Sequence, residues 1–288
     1  MITSFLASWV LFHNTYLVGW LIAMVLSLVG VLVVARDQIF IGAAVSQAST
    51  LGIALALWVA SWTLAEELVW LDSEVFLGGM AVLCSVLAAL LTARGGDPGQ
   101  ESHEAMTGWV YLTAASVSIL VVSHSPHGLE EIHRLLSSSI IGATVGDVWT
   151  FGTLAAVTAV GLAVMHQRLL LLAIDPAMAA AVGLRVRRWA VIHAAWLGLV
   201  IGLSIRSSGM LYTFGCLVLP ALVAKNVCRE VRPMFLVAPV VAVGTAAVAF
   251  VLANAYDDPP AQMTVALLCL VLMVAWGVRR WRQARKSV

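Results

Sequence analysis

The feature that most constrains this chain is a series of uncharged apolar runs, each about long enough to cross a bilayer. A helix needs roughly 20 apolar residues to cross a hydrocarbon core about 30 Å thick. Charged residues separate nine such runs: 16–35, 39–65, 76–93, 106–123, 148–167, 189–205, 208–224, 233–253 and 261–278. The runs 39–65 and 208–224 are either rich in small residues or short, so one of them could be broken or incomplete. The pattern predicts an all-α polytopic membrane protein with eight or nine transmembrane helices.

The scarcity of charge excludes several other classes of protein. Charged residues make up 11% of the 288 residues, whereas a soluble domain has about 25%. A soluble enzyme, a nucleic-acid-binding protein with a basic face and a disordered protein are therefore excluded. We predict one transmembrane domain over residues 1–288, with a possible interfacial segment at 1–14, a cytoplasmic loop at 169–188 and a basic cytoplasmic tail at 279–288.

The basic residues sort almost completely to one side when the nine runs alternate across a membrane. The positive-inside rule makes that side, which also holds the C-terminus, the cytoplasm. Most acidic residues fall outside, where they would attract cations, although acidic residues are also tolerated on either side. Nine crossings would place the N-terminus outside. The predicted inner set holds 14 of the 16 basic residues: Arg36, Arg94, Arg168, Arg185, Arg187, Arg188, Lys225, Arg229, Arg232, Arg279, Arg280, Arg282, Arg285 and Lys286.

The apolar runs are nearly free of ionisable residues, which are the usual marker of an active site within a membrane. They contain no HExxH motif, no GxSG motif and no pair of carboxylates. The sequence therefore gives no support to an enzyme, and we expect no catalytic residue and no cofactor bound by this chain.

The second run contains one polar segment, GAAVSQASTLG, from Gly42 to Gly52. Small residues recur at intervals of four, a spacing that lets two helices approach closely. One interpretation is a packing seam in which the hydroxyl groups bond to the backbone of their own helix. The alternative is a polar stripe that lines a translocation path, formed by Ala43, Ser46, Gln47, Ser49 and Thr50.

The inner loop IDPAMAAAVGLRVRR, from Ile174 to Arg188, predicts a short helix. Asp175 has the position of an N-cap, Pro176 suits the first helical position, and Gly183 suits the residue after the helix. Such an element, with Ala179 inside it and Arg185 beyond it, suits docking into a cleft of a cytoplasmic partner. A plain connecting helix is the other interpretation.

The order of these segments resembles the membrane permeases of the zinc/manganese-type ABC importers. The Asp175-Pro176 pair followed by Gly183 is similar to the D-P-x-x-A-x-x-x-G loop of that family. The segment GMLYTFGCLVLPALVA, 209–224, is similar to its V-G-x-L-L-x-x-x-L-L-x-x-P-A-x-x-A run. Arg36 with 42–52 resembles its signature around the second helix. The resemblance runs from about Tyr16 to Gly277, and the order and spacing of the segments make it specific.

The resemblance implies a type II-like helical bundle of the vitamin B12/metal permease kind, in the inner membrane of a prokaryote. It further implies a homodimer with two ATP-binding subunits, which would bind and hydrolyse the ATP, and an extracytoplasmic solute-binding protein. Asp175, Pro176, Ala179, Gly183 and Arg185 would then belong to the coupling helix that contacts the ATPase. The polar second helix would line the path at the dimer axis, and the outer acidic loops would face the binding protein.

One departure from the family concerns the substrate. The family usually has an Asp and a His one turn apart in the second helix, and this chain has Ala43 and Gln47 at those positions. An amide and a methyl group bind divalent transition metals poorly. Two kinds of substrate are left open. One is a divalent metal of the zinc, manganese or iron class, bound by Ser46, Gln47 and Thr50, with Cys216 or Met210. The other is a metal chelate or another small solute. A membrane scaffold without transport is a third alternative.

Overall fold

The structure is a computed structural model that describes residues 2–62, 74–94, 101–123, 140 and 142–284. All the regular elements within these ranges are helices, which confirms the predicted all-α class. Eight of them, all but the sixth, are long and apolar enough to cross a membrane, in agreement with the predicted eight or nine. In chain order they are α1 (Ile2–Ala35), α2 (Phe40–Trp62), α3 (Glu74–Thr92), α4 (His103–Ser123), α5 (Val145–Ile174), α6 (Pro176–Ala181), α7 (Val186–Val227), α8 (Val231–Tyr256) and α9 (Pro260–Ala284).

Two of the predicted runs, 189–205 and 208–224, belong to the single element α7. Its helical path is interrupted at Gly209, whose φ of 79° and ψ of 167° lie outside the helical region. Glycine is the residue that adopts a positive φ without steric cost. The 42 residues of α7 would measure about 63 Å at 1.5 Å per residue, roughly twice the hydrocarbon thickness. This one element is therefore long enough for two crossings.

The predicted subdivisions of the chain overlap with helices. α1 is helical from Ile2, and its apolar stretch begins at Ser8, so the interfacial segment at 1–14 stays a prediction. The predicted loop at 169–188 begins inside α5 and ends inside α7. The basic segment at 279–288 is helical as far as Ala284.

Contacts divide the chain into two compact units, each assembled from separate parts of the sequence. Unit 1 takes Met1–Asp37, Ser139–Asp175 and Leu211–Val288, and unit 2 takes Gln38–Ser138 and Pro176–Met210. The single domain over residues 1–288 stays a prediction.

In unit 1, α1 is the central helix and packs against α5 and α8, while α9 packs against α8. α1 is apolar on all sides, as expected of a helix that is surrounded by others, and Val18, Ile22 and Val25 are fully buried. The second half of α7 also contacts α1, because the Tyr212 hydroxyl donates a hydrogen bond of 2.9 Å to the carbonyl oxygen of Gly19.

In unit 2, α2 packs against α3 and α4, and the first half of α7 packs against α3. Two glycines one turn apart, Gly198 and Gly202, form the contact with α3. A Cβ added at Gly198 would lie 2.6 Å from the Cα of Val86. The Ser85 hydroxyl donates a hydrogen bond of 2.6 Å to the carbonyl oxygen of Gly198. This is the small-residue packing expected between membrane helices, where apolar burial gives little driving force.

Three helices of unit 1 end on the same side. The Lys225 ammonium at the end of α7 lies 2.6 Å from the Asp37 carboxylate just beyond α1. The neighbouring residue Asn226 accepts a hydrogen bond of 2.9 Å from the Arg279 guanidinium on α9. α1 and α9 therefore point the same way, so the start of α1 and the end of α9 lie on opposite sides of a membrane.

Candidate functional site

The polar segment of α2 contains two buried hydroxyl groups for which the described residues offer no hydrogen-bond partner. The side chains of Ser46 and Ser49 are fully buried, and neither hydroxyl has a hydrogen-bond partner among the residues that the structure describes. Thr50 behaves differently, since its hydroxyl donates a hydrogen bond of 3.2 Å to the carbonyl oxygen of Ser46. An unpartnered buried hydroxyl costs free energy, so Ser46 and Ser49 are the positions of this helix where a polar ligand or water would be favoured.

Gln47 makes a contact within unit 2 that the sequence did not reveal. Its side-chain amide donates a hydrogen bond of 3.3 Å to the Sδ atom of Met210, which is 163 residues away. Met210 directly follows the interruption of α7 at Gly209. Ala43, one turn before Gln47, is buried. The structure thus brings Gln47 and Met210 together, while Cys216 is fully buried in unit 1.

These side chains do not form a conventional metal centre. Within the described ranges, no group of three or more His, Cys, Asp or Glu side chains could hold a metal ion. The outer acidic residues Glu66, Glu67 and Asp72 lie outside the described residues. A thioether is a soft ligand and an amide oxygen a hard one, so Gln47 and Met210 do not replace an aspartate and a histidine.

The small residues of α2 also form a packing seam. A Cβ added at Gly52 would collide with the backbone of Met80 and Ala81 on α3. Ser46 and Ser49 lack the bond to their own helix that the packing interpretation expects, whereas Thr50 makes one. Close packing therefore accounts for Gly52, and it leaves the two buried hydroxyl groups unexplained.

The predicted short inner helix is present as α6, Pro176–Ala181. Gly183 has a φ of 86°, the left-handed conformation that was predicted for the residue after the helix. Its amide donates a hydrogen bond of 3.0 Å to the carbonyl oxygen of Ala180, and the amide of Leu184 donates one of 3.0 Å to Ala179. These two bonds are the Schellman motif, which fixes where α6 ends.

The surface of α6 is apolar and has arginines beside it. Met178 is 57% exposed and Val182 67% exposed. Ala179 is fully buried on the other side of the helix. Arg185, directly after the capped turn, is exposed, as are Arg187 and Arg188. An exposed methionine and valine followed by three exposed arginines suit a protein partner with an apolar cleft and an acidic rim.

Arg36 is the basic residue between α1 and α2, and it is partly buried. Desolvation lowers its pKa from the ordinary value, because burial penalises the charged form. An arginine nevertheless stays protonated at neutral pH. This positive charge therefore persists at the predicted inner side.

The comparisons with known proteins agree with this fold and these segments. The model of the ABC 3 transport family matches residues 9–279. The manganese import system permease protein ScaB of Streptococcus gordonii is 21% identical over 282 residues, which are 96% of each chain.

Two solved structures share the fold. PsaBC from Streptococcus pneumoniae in complex with Fab has a TM-score of 0.78 and 17% identity, and the match covers 96% of this chain and 95% of that one. A transporter assigned to the metal-chelate ABC type, in an inward-facing conformation, has a TM-score of 0.69 and 18% identity, with 91% of this chain and 85% of that chain covered.

The family match and the shared fold show that this helical bundle, with its capped short helix α6 and polar second span, is of the class of ABC transporter membrane subunits. The match extends over nearly the whole chain. The protein belongs to the ABC 3 transport family.

Proposed function

We propose that the protein is the permease subunit of an ABC importer that moves a divalent metal ion of the zinc, manganese or iron class into the cell. In this proposal two copies form the pathway, two ATP-binding subunits dock on the cytoplasmic side, and a solute-binding protein delivers the metal outside. ATP is bound by the partner, and this chain performs no chemistry on its substrate. The C-terminus lies in the cytoplasm, because the basic tail belongs to the predicted inner side, and the family implies the inner membrane of a prokaryote.

The observation that carries the proposal is the geometry of α6. A six-residue helix is too short to be stable alone, and its end is fixed by the Schellman motif at Gly183. It presents Met178 and Val182 outward beside exposed Arg185. An exposed helix with a fixed end can receive a displacement from a partner and pass it to the membrane helices. The residues proposed to couple to the ATPase are Asp175 and Pro176 at the start of α6, Ala179 within it, and Gly183 and Arg185 after it.

The proposed path follows the polar segment of α2. Ser46 and Ser49 supply buried hydroxyl groups without partners, and Gln47 with Met210 supplies an amide and a thioether at the interruption of α7. Ala43 and Thr50 complete the stripe. The proposal that the substrate is a metal is supported by the relative named a manganese import permease.

A metal chelate is the second candidate substrate, and the same segment favours it. The NH2 group of Gln47 donates to Met210, which leaves only its amide oxygen as a ligand atom, and Ala43 offers none. A metal that keeps its own ligands needs a polar passage and no protein side chain to bind it. A likeness in fold to a transporter assigned to the metal-chelate type is compatible with this candidate.

Uptake of radioactive manganese and zinc by cells with and without this chain tests the proposal. Loss of uptake on deletion, restored by the wild-type chain, is expected for either metal candidate. The double variant Ala43→Asp with Gln47→His then separates them, since it restores the ligand pair usual in the family. A gain in uptake of the free ion favours the ion, whereas unchanged uptake of the ion with continued uptake of a chelate favours the chelate. Uptake that is unaffected by deletion would leave the scaffold alternative.

A further inference from the structure

A second polar feature lies in unit 1, at the end of the last helix. A cavity of about 370 Å³ opens there between the ends of α7 and α9. This volume is within the range of small-molecule sites. The cavity lies far along the sequence from α2 and α6, and nothing in the proposed transport function uses it. Its lining residues are Asn226, Trp276, Arg279, Arg280 and Gln283.

Arg279 is held in position by a chain of hydrogen bonds. The Asn226 side-chain amide donates a bond of 2.8 Å to the carbonyl oxygen of Leu222, so the amide oxygen of Asn226 faces away from α7. That oxygen accepts the bond of 2.9 Å from Nη1 of Arg279. A guanidinium has five N–H donors. The remaining donors of Arg279 have no partner among the described residues, so they can bind an anion that enters the cavity.

The positive charge of the cavity has no counter-ion among the residues that the structure describes. The partner of Arg279 is a neutral amide. The neighbouring carboxylate of Asp37 is already paired with Lys225. Within the described part of the chain, no carboxylate pairs with Arg279 or Arg280. Two arginines without counter-ions in one cavity are a site for a phosphate group, which a guanidinium can bind through two parallel hydrogen bonds.

Trp276 lines the cavity and also belongs to an exposed apolar stripe along α9. Met273, Trp276 and Arg280 recur at intervals of three and four residues, so they share one face of the helix. All three are exposed, Met273 at 54% and Trp276 at 48%. An anion bound by Arg280 would therefore have an exposed indole and thioether directly beside it, in the direction of the membrane interior. Tryptophan is the residue that favours the headgroup level of a bilayer.

We propose that this cavity binds the headgroup of an anionic phospholipid, with the phosphate on Arg279 and Arg280 and one acyl chain along Trp276 and Met273. A free phosphate would use the arginines but would gain nothing from the apolar stripe. The location also fits, because α9 ends on the predicted cytoplasmic side, where anionic lipids attract basic segments next to a membrane span. The proposal does not depend on which solute the protein transports.

The test uses the full-length protein purified in a neutral detergent, with bound lipid measured by native mass spectrometry. Short-chain phosphatidylglycerol is the ligand, and short-chain phosphatidylcholine and inorganic phosphate are the comparison arms. Arg279→Gln and Arg280→Gln should each weaken phosphatidylglycerol binding by about tenfold, the order that a charge-assisted hydrogen bond contributes. Arg282→Gln is the matched control, because Arg282 is an exposed arginine of the same helix end that does not line the cavity.

The expected result is a preference for phosphatidylglycerol that Arg282→Gln preserves and the two cavity variants lose. All three variants should have the same melting temperature as the wild-type protein, since these arginines are exposed. Equal losses in all three variants would overturn the proposal, because they would indicate general attraction to basic charge. Inorganic phosphate that competes as well as the lipid would overturn it in favour of a free anion. Displacement of the lipid by an added ATPase subunit would overturn it in favour of a protein interface.

Discussion

The glycine that ends α6 offers the most specific test of the proposed coupling helix. Gly183 has a φ of 86°, and a Cβ added there would meet no atom within 4 Å. A substitution at this position is therefore penalised through the backbone conformation alone, with no steric clash to complicate the result. Gly183→Val and Gly183→Asn form a matched pair, because asparagine tolerates the left-handed region and a β-branched residue does not.

The magnitude follows from the conformation. A Cβ in the left-handed region costs about 1–2 kcal/mol. For a β-branched residue the cost is at or above the upper end of this range. Since α6 has six residues and little stability of its own, this cost should open the Schellman motif locally and leave the spans intact. A free-energy change of about 1–2 kcal/mol corresponds to a shift of roughly 5–30-fold in the population of the capped helix.

Hydrogen exchange of the purified permease measures this shift without any partner. Gly183→Val should accelerate exchange at the amide of Leu184, which donates to Ala179, by about 5–30-fold relative to the wild type. Gly183→Asn should stay within about twofold of it, in keeping with the tolerance of asparagine for this conformation. Copurification of the ATPase subunit should fall in the same order. Equal exchange rates in the two variants would refute the role of the cap, and a loss of the cap without a loss of the ATPase would refute the docking role.

Three further predictions test the packing and the path. Gly198→Val should prevent α7 from packing on α3 and lower the yield of folded protein in a detergent-solubility assay. Gly161→Val is the control, because an added Cβ there meets no atom within 4 Å, and its yield should be near that of the wild type. Thr144→Ala should raise the exchange rate of the first turn of α5 by about fivefold, because the capping box with an acidic partner three residues later contributes about 1 kcal/mol. Met210→Leu should change the ratio of manganese uptake to zinc uptake, because it removes the sulfur atom that accepts the hydrogen bond of the Gln47 amide. A ratio equal to that of the wild type would exclude Gln47 and Met210 from the path.

The sequence predicted the helices and the capped turn because those features depend on local chemistry. The uncharged runs define the spans through the cost of charge in hydrocarbon, and Gly183 predicted the end of α6 through its freedom to adopt a positive φ. Pro176 marked the start of the same helix in the same local way.

The contacts between distant segments could not be predicted from local patterns. The hydrogen bond between Gln47 and Met210 joins residues that are 163 positions apart, and the bond between Arg279 and Asn226 joins residues that are 53 apart. The interruption of α7 at Gly209 was not predicted either. The sequence showed two separate apolar runs, and the structure joins them in one element. An alignment that reveals co-varying positions is the signal that could have identified such pairs.

ATP-driven uptake into proteoliposomes tests the central proposal most directly. The full complex of this permease with its ATPase subunits and binding protein would be reconstituted, and manganese or zinc would be measured inside the vesicles. We expect accumulation that requires ATP and is lost when Gly183→Val replaces the wild-type chain. Steady ATP hydrolysis with no accumulation of either metal, free or chelated, would contradict a role in metal import.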